Sequence, residues 1–279
     1  MFDFFKKNKV EDTKTPVKLT YGEDRGGEQT EDLTLDGVQI DRNLFAHTVE
    51  RYAPRTGVDI SEEMLEMLTD YYEMVVRSNA NVNLTAITEA KDFAIKHIID
   101  SLMLHQFLEP NHKKKLMDVG TGAGLPTIPL AITHPNHKFA VIESQNKRYE
   151  FVKFACTNLN VCNIGINRYR AEEAGHRALY REKFEFATAR AVAPLNVLCE
   201  YCLPMVMMGG YFLAMKGANF REEIDAADNA MFQLGGRLEE VREYELPTGE
   251  QRAIVVIKKV VPCRRNLPRS AAAIKKNPF

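Results

Sequence analysis

The stretch Leu116-Met117-Asp118-Val119-Gly120-Thr121-Gly122-Ala123-Gly124-Leu125-Pro126 constrains the fold more than any other part of the chain. It reads as a short strand that runs into a glycine-rich turn and then into a helix. Glycines at 120, 122 and 124 permit positive φ and let a ligand approach the backbone closely. A helix start offers N–H groups that have no partner within the helix. Strand-turn-helix units of this kind build open α/β sheets, whose ligands sit outside the carboxyl ends of the strands.

The glycine spacing excludes one common ligand. The dinucleotide fingerprint G-x-G-x-x-G requires its third glycine at position 125, where this chain has Leu125. Asp118, two residues before the first glycine, is unusual for a nicotinamide site. It suits a ligand with an ammonium group, as methionine carries. The loop Asp118, Gly120, Gly122, Gly124 is therefore expected to hold S-adenosyl-L-methionine. The plain alternative is a tight turn that needs glycine for its geometry alone.

The rest of the chain repeats the alternation. Strands are expected at Leu116–Val119, Phe139–Glu143, Ile164–Asn167, Phe184–Ala189 and Tyr211–Met215, with helices at Pro126–Thr133, Lys147–Leu159, Leu195–Val206 and Ala218–Leu234 between and after them. Glu239–Leu246 and Ala253–Lys258, joined by Pro247-Thr248-Gly249-Glu250, read as a closing hairpin. The expected fold class is α/β: a mainly parallel seven-stranded sheet, covered on both faces, with an antiparallel C-terminal hairpin. Upstream, Leu44, Phe45, Thr48 and Val49 fall on one helical face. Ser61 is a candidate N-cap for a helix through Val75, and a third helix is expected from Ala90 to Phe107, with Lys96 and Asp100 as i,i+4 partners. The division expected is a disordered extension over 1–40, a helical cap over 41–110, a cofactor domain over 111–260 and a basic tail over 261–279.

Charge and cysteine usage bound the setting. The net charge is -1, but from Lys258 to the end there are seven Lys or Arg and no Asp or Glu. Such a tail is either a solvated end or a phosphate-binding arm. Five cysteines without a framework fit a reducing cytoplasm. Met1-Phe2-Asp3-Phe4-Phe5 is too short for a secretory signal, and no apolar run is long enough to span a membrane. Cys199-x-x-Cys202 lies in an apolar helical run and reads as two packed core residues; no metal site is expected.

Further candidates sit where the strands should end. Glu143, at the tip of the second strand, can accept hydrogen bonds from both hydroxyls of a ribose, with Ser144 and Gln145 beside the adenine. Ala171 and Glu172 follow the third strand and can address the adenine edge; the bland reading is a helix start with favourable acids. Arg190 follows the fourth strand and can hold a carboxylate or phosphate through two hydrogen bonds. No Ser/His/Asp or paired-carboxylate constellation is visible.

Together these stretches resemble one family, the bacterial small-subunit ribosomal RNA guanine-N7 methyltransferases of the RsmG type, also called glucose-inhibited division protein B. The resemblance runs from about Asp41 to the end. It rests on Asn79 to Thr85, Lys96 to Leu102, Asp118 to Leu130, Lys147-Arg148 with Phe151, Arg170 to Glu173, Thr188 to Leu195, Cys202-Leu203-Pro204 and Leu213 to Gly217. Family members usually carry Trp where Ser78 stands and Gly where Thr127 stands. The resemblance implies a Rossmann-like class I methyltransferase sheet. It implies cofactor contacts at Gly120, Leu125, Glu143 to Gln145, Ala171-Glu172 and Arg190. It also implies a substrate, the guanine at position 527 in the 530 loop of 16S ribosomal RNA, presented as RNA or within the small ribosomal subunit. Guanine N7 bears a lone pair and no proton, so no catalytic acid or base is expected and Arg190 is a positioning candidate. Lys216, Arg264, Arg265 and Arg269 are candidate RNA phosphate contacts. The protein is expected to act as a monomer away from membranes. Two rivals are a methyltransferase for a small molecule or a protein, and an inert ribosome-binding module.

Overall fold

The computed structural model describes residues 40–108 and 112–279. The extension expected to be disordered lies outside the described residues apart from Ile40. Helix α1 (Arg42–Tyr52) starts at Asp41, whose side chain accepts the Leu44 N–H. Helix α2 (Glu62–Val82) starts at Ser61, which caps the Met64 N–H as its sequence predicts. Arg42 clamps the two helices together through Glu66, Asp70 and Glu73.

The third helix departs from expectation. It is α3 (Ala90–Phe93), a π-helical turn (Ala94–Ile99), α4 (Asp100–Leu102) and a 3₁₀ turn (Met103–Phe107). The wider π turn changes which side chains share a face. Lys96 and Asp100 do not pair. Lys96 bonds Asp92 and Glu250, each at 2.9 Å, while Asp100 turns inward to Arg190.

The strands are β1 (Lys115–Val119), β2 (Lys138–Ile142), β3 (Ile164–Asn167), β4 (Phe184–Arg190), β5 (Val206–Lys216), β6 (Gly236–Glu245) and β7 (Gln251–Lys259), arranged β3-β2-β1-β4-β5-β7-β6. The first five are parallel, and β7 runs antiparallel between β5 and β6. The connecting helices are α5 (Thr127–Thr133), α6 (Asn146–Asn158), α7 (Ala171–Ala174), α8 (Leu195–Cys202) and α9 (Phe220–Gln233). Alternation along each strand serves two cores. Leu116, Phe139, Val141, Leu213, Ile254 and Val256 pack against the layer of α1 to α6. Met117, Val119, Ala140, Phe212, Val255 and Ile257 pack against the layer of α7 to α9. The N-terminal helices thus share their core with one face of the sheet.

Two boundaries move. Helix α8 ends at Cys202, because Leu203-Pro204 turns the chain and Val206, already in β5, pairs with Phe184 of β4. Strand β5 then bulges before Tyr211 pairs with Phe186, so its early half is hidden behind Gly209-Gly210 in the sequence. Cys199 and Cys202 are buried core thiols, and burial pushes both pKa values up.

The basic tail is neither a loose end nor a free arm. It is a strap. The Arg181 guanidinium donates to the carbonyls of Gly175, Cys263, Arg264 and Leu267. Arg269 binds the buried Glu200 carboxylate and lies 3.5 Å over the Phe279 ring. A last helix, α10 (Ala271–Lys276), is capped by Ser270 and buries Ile274. Arg264, Arg265, Lys275 and Lys276 remain exposed along it. No helix among the described residues is long and apolar enough to cross a membrane.

Candidate active site

The chain crosses from β1 through β2 to β3, then returns to β4 on the other side of β1. A crevice therefore opens at the carboxyl ends of β1 and β4, where open α/β sheets bind ligands. The glycine loop forms its floor.

The three glycines do different work. Gly120 has φ +75° and donates its N–H to the Ile142 carbonyl; a Cβ there would lie 2.8 Å from Val192 Cγ2. A Cβ on Gly124, at φ +96°, would come within 2.4 Å of Ile128 Cδ1. These two permit close packing. Gly122 has φ +59° and nothing within 4 Å of a built Cβ, so its open side is the one a ligand can approach. The loop is braced from the N-terminal helices by the Tyr71 hydroxyl, which donates to the Ala123 carbonyl at 2.8 Å. Leu125 is buried behind it.

Asp118 is fully buried beneath the loop. Its Oδ2 accepts the Thr127 hydroxyl at 2.8 Å, and its Oδ1 has no well-formed hydrogen bond. Burial pushes its pKa up to about 7, against the opposing pull of the Thr121 and Thr127 hydroxyls and the Arg190 charge. Glu143, also buried, accepts the Gln145 N–H at 2.8 Å on Oε1 and the Gly122 N–H at 3.0 Å on Oε2. It ties the tip of β2 to the loop while each oxygen keeps a second lone pair. Ser144 and Gln145 are exposed beside it. Ala171 opens α7, and the buried Glu172 keeps Oε1 without a hydrogen bond, 3.6 Å from Arg170.

Arg190 ends β4 and is held from the N-terminal side. Its Nη1 donates to Asp100 Oδ2 at 2.9 Å and to the Lys96 carbonyl at 3.2 Å. Asp100 Oδ1 accepts the Tyr244 hydroxyl from β6 at 2.8 Å. His97 packs against the guanidinium; burial and then that charge lower its pKa to about 3, so it is neutral. These groups line a cleft of about 460 Å³ that continues to Lys216, Glu223 and Arg252.

The candidates thus fall into two sets. Gly122 and Glu143 meet at the glycine loop, Asp118 lies within reach of the Glu143 and Arg190 charges, and Glu172 sits apart in α7. Lys216 is enclosed, pairing with Glu223 at 2.6 Å, and Arg269 is spent on Glu200, so neither presents a free cation at the surface. Sequence reading missed Asp100, Tyr244 and Glu223. His97 and Asp100, three apart in an apolar run, carried a faint signal; Tyr244 sits in an exposed-looking strand and carried none.

The donor set fits S-adenosylmethionine. Asp118 Oδ1 is a buried acceptor that makes no well-formed hydrogen bond, as an ammonium needs, and the Gly122 face is a cradle that any side chain would fill.

Comparison with known proteins follows the same lines. The family model described as "GidB: rRNA small subunit methyltransferase G" matches residues 64–255. The ribosomal RNA small subunit methyltransferase G of Thermoanaerobacter sp. (strain X514) is 40% identical over 228 residues, 81% of this chain and 95% of the relative. That of Pelotomaculum thermopropionicum is 40% identical over 238 residues, 85% of this chain and 100% of the relative. Among solved structures, an O-methyltransferase from Bacillus cereus in complex with SAH overlaps with a TM-score of 0.49 and 16% identity, over 68% of this chain and 91% of that one. The family model spans more than half of the chain and these relatives are matched over nearly their whole length: the chain belongs to the rRNA small subunit methyltransferase G family.

Proposed function

We propose that this chain methylates N7 of a guanine in the 530 loop of 16S ribosomal RNA, position 527, using S-adenosylmethionine. The observation that carries the cofactor half is the buried Asp118 with its unbonded Oδ1 under an open Gly122. Family membership carries the RNA half.

Asp118 would bind the ammonium of the cofactor and Arg190 its carboxylate, so a zwitterion is gripped at both ends. Glu143 would accept the ribose hydroxyls on its remaining lone pairs. Ser144, Gln145, Ala171 and Glu172 would flank the adenine, and Gly120, Gly124 and Leu125 shape the loop. When bound, the cofactor supplies an electrophilic methyl group on a sulfonium. The chain's own task is then placement. Guanine N7 has no proton to lose, so no side chain needs to act as a base. Positioning alone can supply about 7–11 kcal/mol of the barrier. The enclosed and neutral His97 and the Asp100-held Arg190 keep that geometry fixed. The target base must leave its stack to enter the cleft. Exposed Arg264 and Arg265, on the strap, supply phosphate contacts.

The test is to map N7-methylguanine in 16S ribosomal RNA from cells with and without this protein. One new modified guanine in the 530 loop is expected. Methyl transfer to a metabolite or a protein, with none to ribosomal RNA, would overturn the RNA reading. A chain that binds no cofactor would be a ribosome-binding module instead.

A further inference from the structure

Guanine and adenine both offer an N7 lone pair, so the methyl donor cannot choose between them. Selection must come from the groups that differ between the two bases, at positions 6, 1 and 2. Guanine presents O6 as an acceptor next to N1–H and N2–H donors. Adenine presents an amino donor next to the N1 acceptor.

Two carboxylates line the cleft at the ends of β4 and β5, Asp100 and Glu223. Asp100 has a partner on each oxygen, Arg190 on Oδ2 and Tyr244 on Oδ1. Glu223 does not. Its Oε2 accepts the Leu195 N–H at 2.7 Å and is ion-paired with the Lys216 ammonium at 2.6 Å, while Oε1 accepts no hydrogen bond among the described residues. Lys216 Nζ is ion-paired with Glu223 and donates to the Ala193 carbonyl at 3.0 Å. An ammonium has three protons, so one is left. One remaining N–H donor therefore stands beside one remaining carboxylate oxygen. That pattern complements O6 with N1–H and N2–H, and it opposes both groups of adenine.

The pair is also rigid. Lys216 closes β5, one residue beyond the Arg190–Met215 register pair. Glu223 lies in the first turn of α9 and is pinned by the first N–H of α8. The Lys216 side chain is only 8% exposed and that of Glu223 28%, as for a floor that a base covers.

We propose that Glu223 and Lys216 are the guanine-reading pair of the active site, taking the Watson–Crick edge of the target base while N7 faces the methyl donor. The proposal rests on the guanine-N7 reading above. Sites built to hydrogen-bond a substrate group discriminate strongly against analogues that lack it.

The experiment uses the full chain and 16S ribosomal RNA carrying guanine or inosine at the target. Inosine keeps O6, N1–H and N7 but lacks the 2-amino group. The unaltered enzyme should lose about tenfold to a hundredfold in kcat/KM on inosine, the worth of one hydrogen bond to a charged group. Glu223→Gln should fall by a similar factor or more on guanine, with S-adenosylhomocysteine affinity unchanged by calorimetry. The variant's further loss on inosine should shrink to less than about threefold, because the oxygen that took the 2-amino group is gone. An inosine penalty as large in Glu223→Gln as in the unaltered enzyme would overturn the pair, as would a variant that loses cofactor affinity in parallel. If the unaltered enzyme fails on guanine RNA, the functional reading fails and not this pair.

Discussion

Asp118 makes a measurable link between the cofactor site and stability. Burial raises its pKa from 3.8 to about 7. The folded chain therefore holds a proton where the unfolded chain has released it. The stability that comes from the neutral carboxyl is complete below pH 3.8 and is lost as pH rises through about 7. The interval between those two values is worth about 4 kcal/mol. Asp118→Asn keeps the shape and the Thr127 hydrogen bond but removes the charge. Free of cofactor, it should match the unaltered protein near pH 4 and exceed its stability by up to about 4 kcal/mol at pH 8.

Urea unfolding of both proteins across that range reads the gap directly. Cofactor binding should run the other way. An ammonium ligand needs the ionised carboxylate, so affinity for S-adenosylhomocysteine should rise nearly tenfold per pH unit below about 7 and level off above it. Asp118→Asn should lose that slope together with most of the affinity. A stability gap that does not change with pH, or a variant that binds as well as the parent, refutes the assignment of Asp118 to the ammonium.

Four further outcomes follow from the same geometry. Gly122→Asp should fold, since its Cβ meets nothing and the left-handed backbone costs about 1–2 kcal/mol, yet show no calorimetric signal with S-adenosylhomocysteine. Tyr244→Phe removes one hydroxyl from Asp100 and should weaken S-adenosylhomocysteine several-fold through Arg190 while costing about 1 kcal/mol of stability by urea titration. Arg269→Met leaves Glu200 buried and unpaired and should cost about 3–5 kcal/mol, most of it recovered when Glu200→Met is added. Replacing Arg264 and Arg265 with Ala should lower the salt dependence of RNA binding by about 1.4 in log–log slope, the single-strand value for two phosphate contacts, and leave cofactor affinity alone.

The fold was legible where local chemistry and tertiary structure agree. The alternation of short apolar runs with amphipathic helices gave every strand, and Ser61 announced α2. The glycine loop announced the crevice, because positive φ and ligand approach leave a residue-type signature. Two of the misses share a cause, a long-range partner. Lys96 and Asp100 look like a helical pair, but the π turn and Arg190, 90 residues away, separate them. The tail reads as a solvated end or a phosphate-binding arm because its charges dominate its composition; its order comes from Arg181 and Glu200, which no local pattern reveals. Thr127 stands where the resemblance leads one to expect glycine, and its hydroxyl now holds Asp118. Glu223 could not be singled out because its neighbours in sequence, Arg221 and Glu222, look the same on a charged helix face.

The placement of Arg190 shows how the two ends of the chain make one site. Its carboxylate partner comes from the N-terminal helices, and that partner's second hydrogen bond comes from β6, 144 residues further on. Lys96 with Glu250, and Arg242 with Gln106, stitch the same two regions together. The glycine loop draws its backbone and carboxylate contacts from β1, β2 and α5, with one brace from Tyr71 of α2. A chain that had paired β1 with β2 and β4 but not yet added β6 would keep Arg190 on Asp100 and the Lys96 carbonyl, but Asp100 would lack the Tyr244 hydrogen bond. Arg190, proposed to hold the cofactor carboxylate, would then be less firmly set. Full affinity requires the completed sheet, so ligand affinity in variants of the hairpin reports on the docking of the C-terminal strands as well as on the crevice itself.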